Sequence, residues 1–149
     1  RDLREARAAA ENIVPTTTGA AIATAKVVPN LAGKFDGLSV RVPTPTVSLS
    51  DITAVIRRET TIEEINEIFK RSADEPFYQG ILGVTEEELV SSDFKGDSHS
   101  CVIDLKLTNV VGGNLIKIVA WYDNEWGYAS KVVEILKYYK DIKKGEPVK

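Results

Sequence analysis

Four stretches of this sequence carry side chains suited to chemistry. Thr16-Thr17-Thr18-Gly19-Ala20-Ala21 sets hydroxyls beside a glycine at what reads as a helix start. Backbone N–H groups and the helix dipole attract a phosphate to such a place, although the same residues also make an ordinary N-cap. Arg41 stands between Val40 and Val42 on an alternating segment. It is either solvated on an outer strand face or aimed at a phosphate, where its planar fork gives paired hydrogen bonds. Trp121 to Tyr128, with Asp123 and Asn124 at its centre, bridges an apolar strand and a helix start. Asp123 or Asn124 can cap that helix, and the Asn124 amide can equally match a planar carboxamide, donor to acceptor. The fourth stretch holds His99 and Cys101, which suggest a base and a nucleophile. We read them instead as a loop histidine and a half-buried packing cysteine, since nothing nearby activates the thiol.

Several chemistries are missing. One histidine and one cysteine leave too few nitrogen and sulfur ligands for a zinc-type site. No G-x-G-x-x-G follows a strand and no G-x-x-x-x-G-K loop occurs, so a dinucleotide-binding fold is not expected here. A net charge of −3 calls for neither a nucleic-acid nor a membrane partner. No apolar run approaches the roughly 20 residues that span a bilayer. The single cysteine excludes an intrachain disulfide and fits a reducing, cytoplasmic setting. With no methionine, Arg1-Asp2-Leu3 reads as the interior of a longer sequence. Residues 1–149 are taken as one domain.

The elements that must position these residues follow from periodicity. Alanine-rich Leu3 to Asn12 is expected to be helical, and a second helix should run from about Gly19 to Val28, stopped by Pro29. Leu38 to Thr44 and Val47 to Arg57 read as strands, the second with a bulge near Asp51, where the apolar parity flips. Thr61 to Ala73 is an amphipathic helix with Thr61 and Glu64 spaced as a capping box. Asp74 to Gly83 holds turns and short extended pieces. Cys101 to Val111 alternates as one strand, Gly112-Gly113 makes a hairpin turn, and Leu115 to Tyr122 is apolar enough to be buried on both faces. A last helix should cover Ala129 to Lys143, with Lys140, Lys143 and Lys144 at the negative end of its dipole. Short connections favour an α+β fold: an antiparallel or mixed sheet with helices on one face, the other face left for a partner.

Four segments together resemble one family, the phosphorylating glyceraldehyde-3-phosphate dehydrogenases. Asn12-Ile13-Val14-Pro15-Thr16-Thr17-Thr18-Gly19-Ala20-Ala21 is similar to the family stretch ending in T-G-A-A, and Arg41-Val42-Pro43-Thr44-Pro45 to its R-V-P-T-P. Ser91-Ser92-Asp93-Phe94 and Trp121 to Tyr128 resemble two later signatures, in order and in register over the chain. The resemblance implies the carboxy-terminal, substrate-binding half of an enzyme that oxidises glyceraldehyde 3-phosphate with NAD and inorganic phosphate. Thr18 and Gly19 would bind the inorganic-phosphate side. Arg41 would bind the substrate phosphate and reach towards both phosphate positions. Asn124 would hold the nicotinamide carboxamide, with Tyr128 close by. Residues 1–7 would end a loop near the cofactor of a neighbouring subunit in a homotetramer. No residue of this chain would be catalytic, because the family's S-C-T-T-N nucleophile segment and its base histidine are absent. Where the family often has lysine after T-G-A-A, Ile22 removes a positive charge. The chain alone is therefore expected to be inactive. Two alternatives stay open: an erythrose-4-phosphate or NADP-using relative, and a non-catalytic binding or oligomerisation module.

Overall fold

The computed structural model describes residues 3–144. Two units are separate in their internal contacts, residues 1–45 and 46–149. Residues 145–149 lie outside the described residues, as do Arg1 and Asp2.

The first unit is built on a two-stranded antiparallel ribbon. Strand β1 (Val14–Thr16) pairs with β2 (Ser39–Arg41), placing Val14 opposite Arg41 and Thr16 opposite Ser39. Pro43 and Pro45 follow β2 and lack the N–H that would extend the ladder to Thr44. Helix α1 (Ala20–Val27) runs where a helix is predicted. The alanine-rich start is not a helix: it forms one 3-10 turn at Arg4–Ala6, followed by turns. Leu3 to Glu11 are exposed throughout, so no packed apolar face offsets the cost of nucleating so short a helix.

The second unit centres on β7 (Leu115–Tyr122). It pairs on one side with β3 (Ser48–Val55), with unbroken antiparallel register from Ser48 opposite Tyr122 to Val55 opposite Leu115. Its other side is shared by β5 (Cys101–Asp104) and β6 (Asn109–Val111). Strand β4 (Leu82–Thr85) adds to β5 in parallel, giving a mixed sheet.

Three sequence expectations change here. No bulge forms at Asp51, because β3 carries apolar side chains on both faces: Leu49 and Val55 on one, Ile52 and Ala54 on the other. The predicted strand from Cys101 to Val111 breaks into β5 and β6. Asp104 turns the chain, its Oδ1 accepting from the Lys106 N–H and its carbonyl from the Leu107 N–H. Strand β7 is buried on both faces only at Val119 and Ala120, while Leu115 and Lys117 at its start are exposed. The Gly112-Gly113 turn forms as expected, both residues at positive φ.

Helix α2 (Ile62–Asp74) covers one sheet face. Thr61 caps it by accepting from the Glu64 N–H. The Glu64 carboxylate does not return to complete a capping box; it takes both guanidinium nitrogens of Arg58 and the Thr60 hydroxyl. Those two partners hold its carboxyl at about 2. Ile65 is buried, and Phe69 packs on Ile103, Leu105 and Ala120. Burying each such side chain is worth about 1.5–3 kcal/mol. On the opposite face Phe94 stacks on Trp121 at 5.3 Å, and Val47 and Val102 complete that cluster. Asp104 is buried and accepts from Trp121 Nε1 at 3.1 Å.

Helix α3 (Trp126–Lys144) starts three residues earlier than predicted, because Asp123 begins it. Asp123 Oδ1 accepts from the N–H groups of Glu125 and Trp126, and Oδ2 from that of Gly96. The bonds from Gly96 and then Trp126 pull this carboxyl below the usual carboxylate range. The side chains of Lys143 and Lys144 lie outside the description. No described helix is long and apolar enough to cross a membrane.

Two stability predictions follow from these observations. Val47 has φ of 71°, a left-handed conformation that costs a β-branched residue about 1–2 kcal/mol. Val47→Gly loses the side chain but relieves that cost, whereas Val47→Ala loses the burial and keeps it. The glycine variant is therefore expected to unfold at the higher temperature, reversing the usual strand order of alanine over glycine. Asp123→Ala is expected to lower stability by about 1–2 kcal/mol. Because the folded-state pKa of Asp123 is depressed, its ionic contribution is present above about pH 4 and is lost as pH falls through the lower folded value. Asp123→Asn should therefore be less stable than the parent near neutral pH, with the gap closing as pH falls below the usual carboxylate range. Urea unfolding across that range checks both statements.

Candidate functional site

The first unit positions three of the predicted site residues. β1 delivers Thr16-Thr17-Thr18 to the start of α1, where Thr18 Oγ1 accepts from the Ala20 N–H at 3.1 Å. Gly19 precedes the helix with φ −82°, a conformation open to any residue, and a Cβ built there would meet nothing within 4 Å. Among the described residues, neither backbone nor packing requires this glycine. What its missing side chain provides is open space beside the first N–H groups of the helix, where an anion can approach. Arg41 ends β2, exposed, opposite Val14. Ile22 is exposed in the first turn of α1 and brings no charge to it. A hollow of about 330 Å³ lies between residues 3–7 and β1, with Arg4, Arg7 and Asn12 on its wall.

The second unit brings Asn124 and Tyr128 together. Both line a cavity of about 280 Å³, with His99, Tyr122, Gly127 and Lys131. Asp123 makes this geometry, since its cap fixes where β7 stops and α3 starts. Gly127 is required by close approach: a Cβ there would lie 2.8 Å from the His99 carbonyl oxygen. Ser48 carries no local signal in the sequence, yet its hydroxyl donates to Asn124 Oδ1 at 3.0 Å. No local pattern signals a contact between residues 76 apart. With Oδ1 accepting from Ser48, both amide N–H hydrogens of Asn124 remain to meet a ligand. An amide donor beside two tyrosines fits a planar carboxamide such as that of nicotinamide.

His99 and Cys101 are engaged with different neighbours. His99 Nδ1 lies 2.7 Å from Asp97 Oδ1, in the loop before β5. Cys101 packs against the Ile103–Leu105–Ala120 cluster, and burial pushes its thiol up, away from the thiolate a nucleophile needs. Among the described residues, no group of three or more His, Cys, Asp or Glu side chains is placed to hold a metal ion.

Known proteins resemble this chain over most of its length. Residues 1–124 match the family model described as glyceraldehyde 3-phosphate dehydrogenase, C-terminal domain. The glyceraldehyde-3-phosphate dehydrogenase of Streptomyces coelicolor is 54% identical over 135 residues, which cover 91% of this chain and 40% of that protein. That of Zymomonas mobilis is 53% identical over 89% of this chain and 40% of its own length. The chloroplastic A form of Chlamydomonas reinhardtii is 53% identical over 91% and 36%. The chain thus spans about two fifths of the length of these relatives. By the match to residues 1–124 and by these identities, this chain belongs to the glyceraldehyde-3-phosphate dehydrogenase family and carries its C-terminal domain.

Proposed function

We propose that this chain is the substrate-binding half of an NAD-dependent, phosphorylating glyceraldehyde-3-phosphate dehydrogenase, which converts glyceraldehyde 3-phosphate and inorganic phosphate to 1,3-bisphosphoglycerate in the cytoplasm. The observation that carries the reading is Gly19. Nothing among the described residues requires a glycine there; it stands at a helix start with an open approach, inside the segment through which the chain resembles the family. Thr18 and Gly19 bind inorganic phosphate. Arg41 binds the substrate phosphate and reaches towards both phosphate positions. Asn124 donates to the nicotinamide carboxamide, and Tyr128 walls the same cavity. NAD, when bound, supplies the hydride acceptor. This chain's own residues bind and orient; they form no covalent bond to substrate. The hollow beside Arg4 and Arg7 faces the cofactor of a neighbouring subunit in a homotetramer.

The division of labour gives a direct test. Assayed alone for acyl-phosphate formation, the chain should show none. Joined to the amino-terminal part of the Streptomyces coelicolor relative, it should reconstitute an active enzyme. Turnover by the chain alone would contradict the proposal. In the reconstituted enzyme, Arg41→Ala removes a charge-assisted contact worth about 1.5–3 kcal/mol. The kcat/KM for glyceraldehyde 3-phosphate should then fall roughly tenfold or more. Activity on unphosphorylated glyceraldehyde should change little. Unchanged kinetics with the phosphorylated substrate would make Arg41 a surface residue.

A further inference from the structure

The Asn124 amide is held from behind. Ser48 is the first residue of β3, and Asn124 lies two residues beyond the end of β7, whose Tyr122 is the strand partner of Ser48. Across this end of the sheet the Ser48 hydroxyl donates to Asn124 Oδ1 at 3.0 Å. Ser48 is itself placed by an unusual neighbour. Val47 sits at φ 71° with its side chain buried against Phe94 and Val102. Backbone outliers of this kind persist where the surroundings hold them, and they gather at ligand sites. Among the described residues, the one side-chain bond that this strained entry to β3 delivers is the one from Ser48 to Asn124.

An asparagine amide presents an acceptor on one side and donors on the other, and a serine hydroxyl can meet either side, by donating or by accepting. We propose that Ser48 holds the Asn124 amide in the arrangement seen here, donating to Oδ1. The Nδ2 hydrogens are then left for the cavity, so that the site reads a carbonyl oxygen on the bound ring rather than an amino group. Ser48 is thus a positioning and specificity residue for the dinucleotide. The inference rests on the reading of Asn124 as the carboxamide contact. It goes beyond that reading in naming the residue that fixes the amide and the ligand atom that is read.

The test is dinucleotide binding to the reconstituted enzyme, measured by calorimetry rather than turnover. Three probes are compared: NAD, its 3-acetylpyridine analogue, which keeps the carbonyl and lacks the amino group, and its thionicotinamide analogue, which replaces the oxygen by a poorer acceptor. The parent should bind NAD and the acetylpyridine analogue similarly and the thio analogue more weakly. Ser48→Ala should weaken NAD roughly three- to tenfold, the effect of losing one hydrogen bond, and should shrink the preference for oxygen over sulfur. Ser48→Thr keeps the hydroxyl and should stay within about twofold of the parent. In an Asn124→Ala background, Ser48→Ala should have no further effect on NAD binding. A merely structural serine would not change the analogue preference, and thermal unfolding of each variant verifies that it is folded. If Asn124→Ala weakens NAD but Ser48→Ala leaves affinity and preference unchanged, the positioning role is wrong and the carboxamide contact stands. If Asn124→Ala leaves NAD binding unchanged, the contact itself is wrong.

Discussion

The Asp123 carboxylate gathers three backbone N–H groups from two places far apart in the chain. Two begin α3 and one belongs to Gly96 in the loop before β5. Remove it and the end of β7, the start of α3 and the Gly96 loop lose their common anchor. The cavity with Asn124 and Tyr128 exists only because those three pieces meet. Gly127 permits the closest part of that meeting, the approach of the helix to the His99 carbonyl. A buried carboxylate is costly to desolvate, and here the donors that satisfy it are the ones whose positions define the site.

The chemistry on offer is all recognition. Thr18 and Gly19 contribute a hydroxyl and a helix start, Arg41 a fixed charge, and Asn124 an amide whose oxygen is already taken. The one thiol in the described chain is pushed towards its neutral form by burial. Such a set is suited to holding anions and a carboxamide in place. The chain that carries it spans about two fifths of the length of its relatives.

Much of this was legible in the sequence where the signal is local. Helix α2 follows from its Thr61 cap and apolar stripe, and the Gly112-Gly113 turn from two residues that tolerate positive φ. The family segments could be read because they are contiguous. Misreadings came where a non-local partner decides. The Leu3–Asn12 stretch has helix-forming residues but no surface to bury. The parity flip at Asp51 looked like a bulge, yet the straight β7 register fixes β3 and puts apolar residues on both faces. Asp104 breaks an alternating run because its side chain serves Lys106 and Trp121 at once. Ser48 was invisible for the same reason: its partner is 76 residues away.

The central claim is that this half supplies two phosphate positions and one carboxamide contact. A crystal structure of the reconstituted enzyme with NAD and inorganic phosphate tests it most directly. The account expects one phosphate on Thr18 and Gly19, a second anion on Arg41, and the nicotinamide carbonyl oxygen within hydrogen-bond distance of Asn124 Nδ2. Anions bound elsewhere, with Gly19 and Arg41 facing only solvent and the carboxamide away from Asn124, would contradict it.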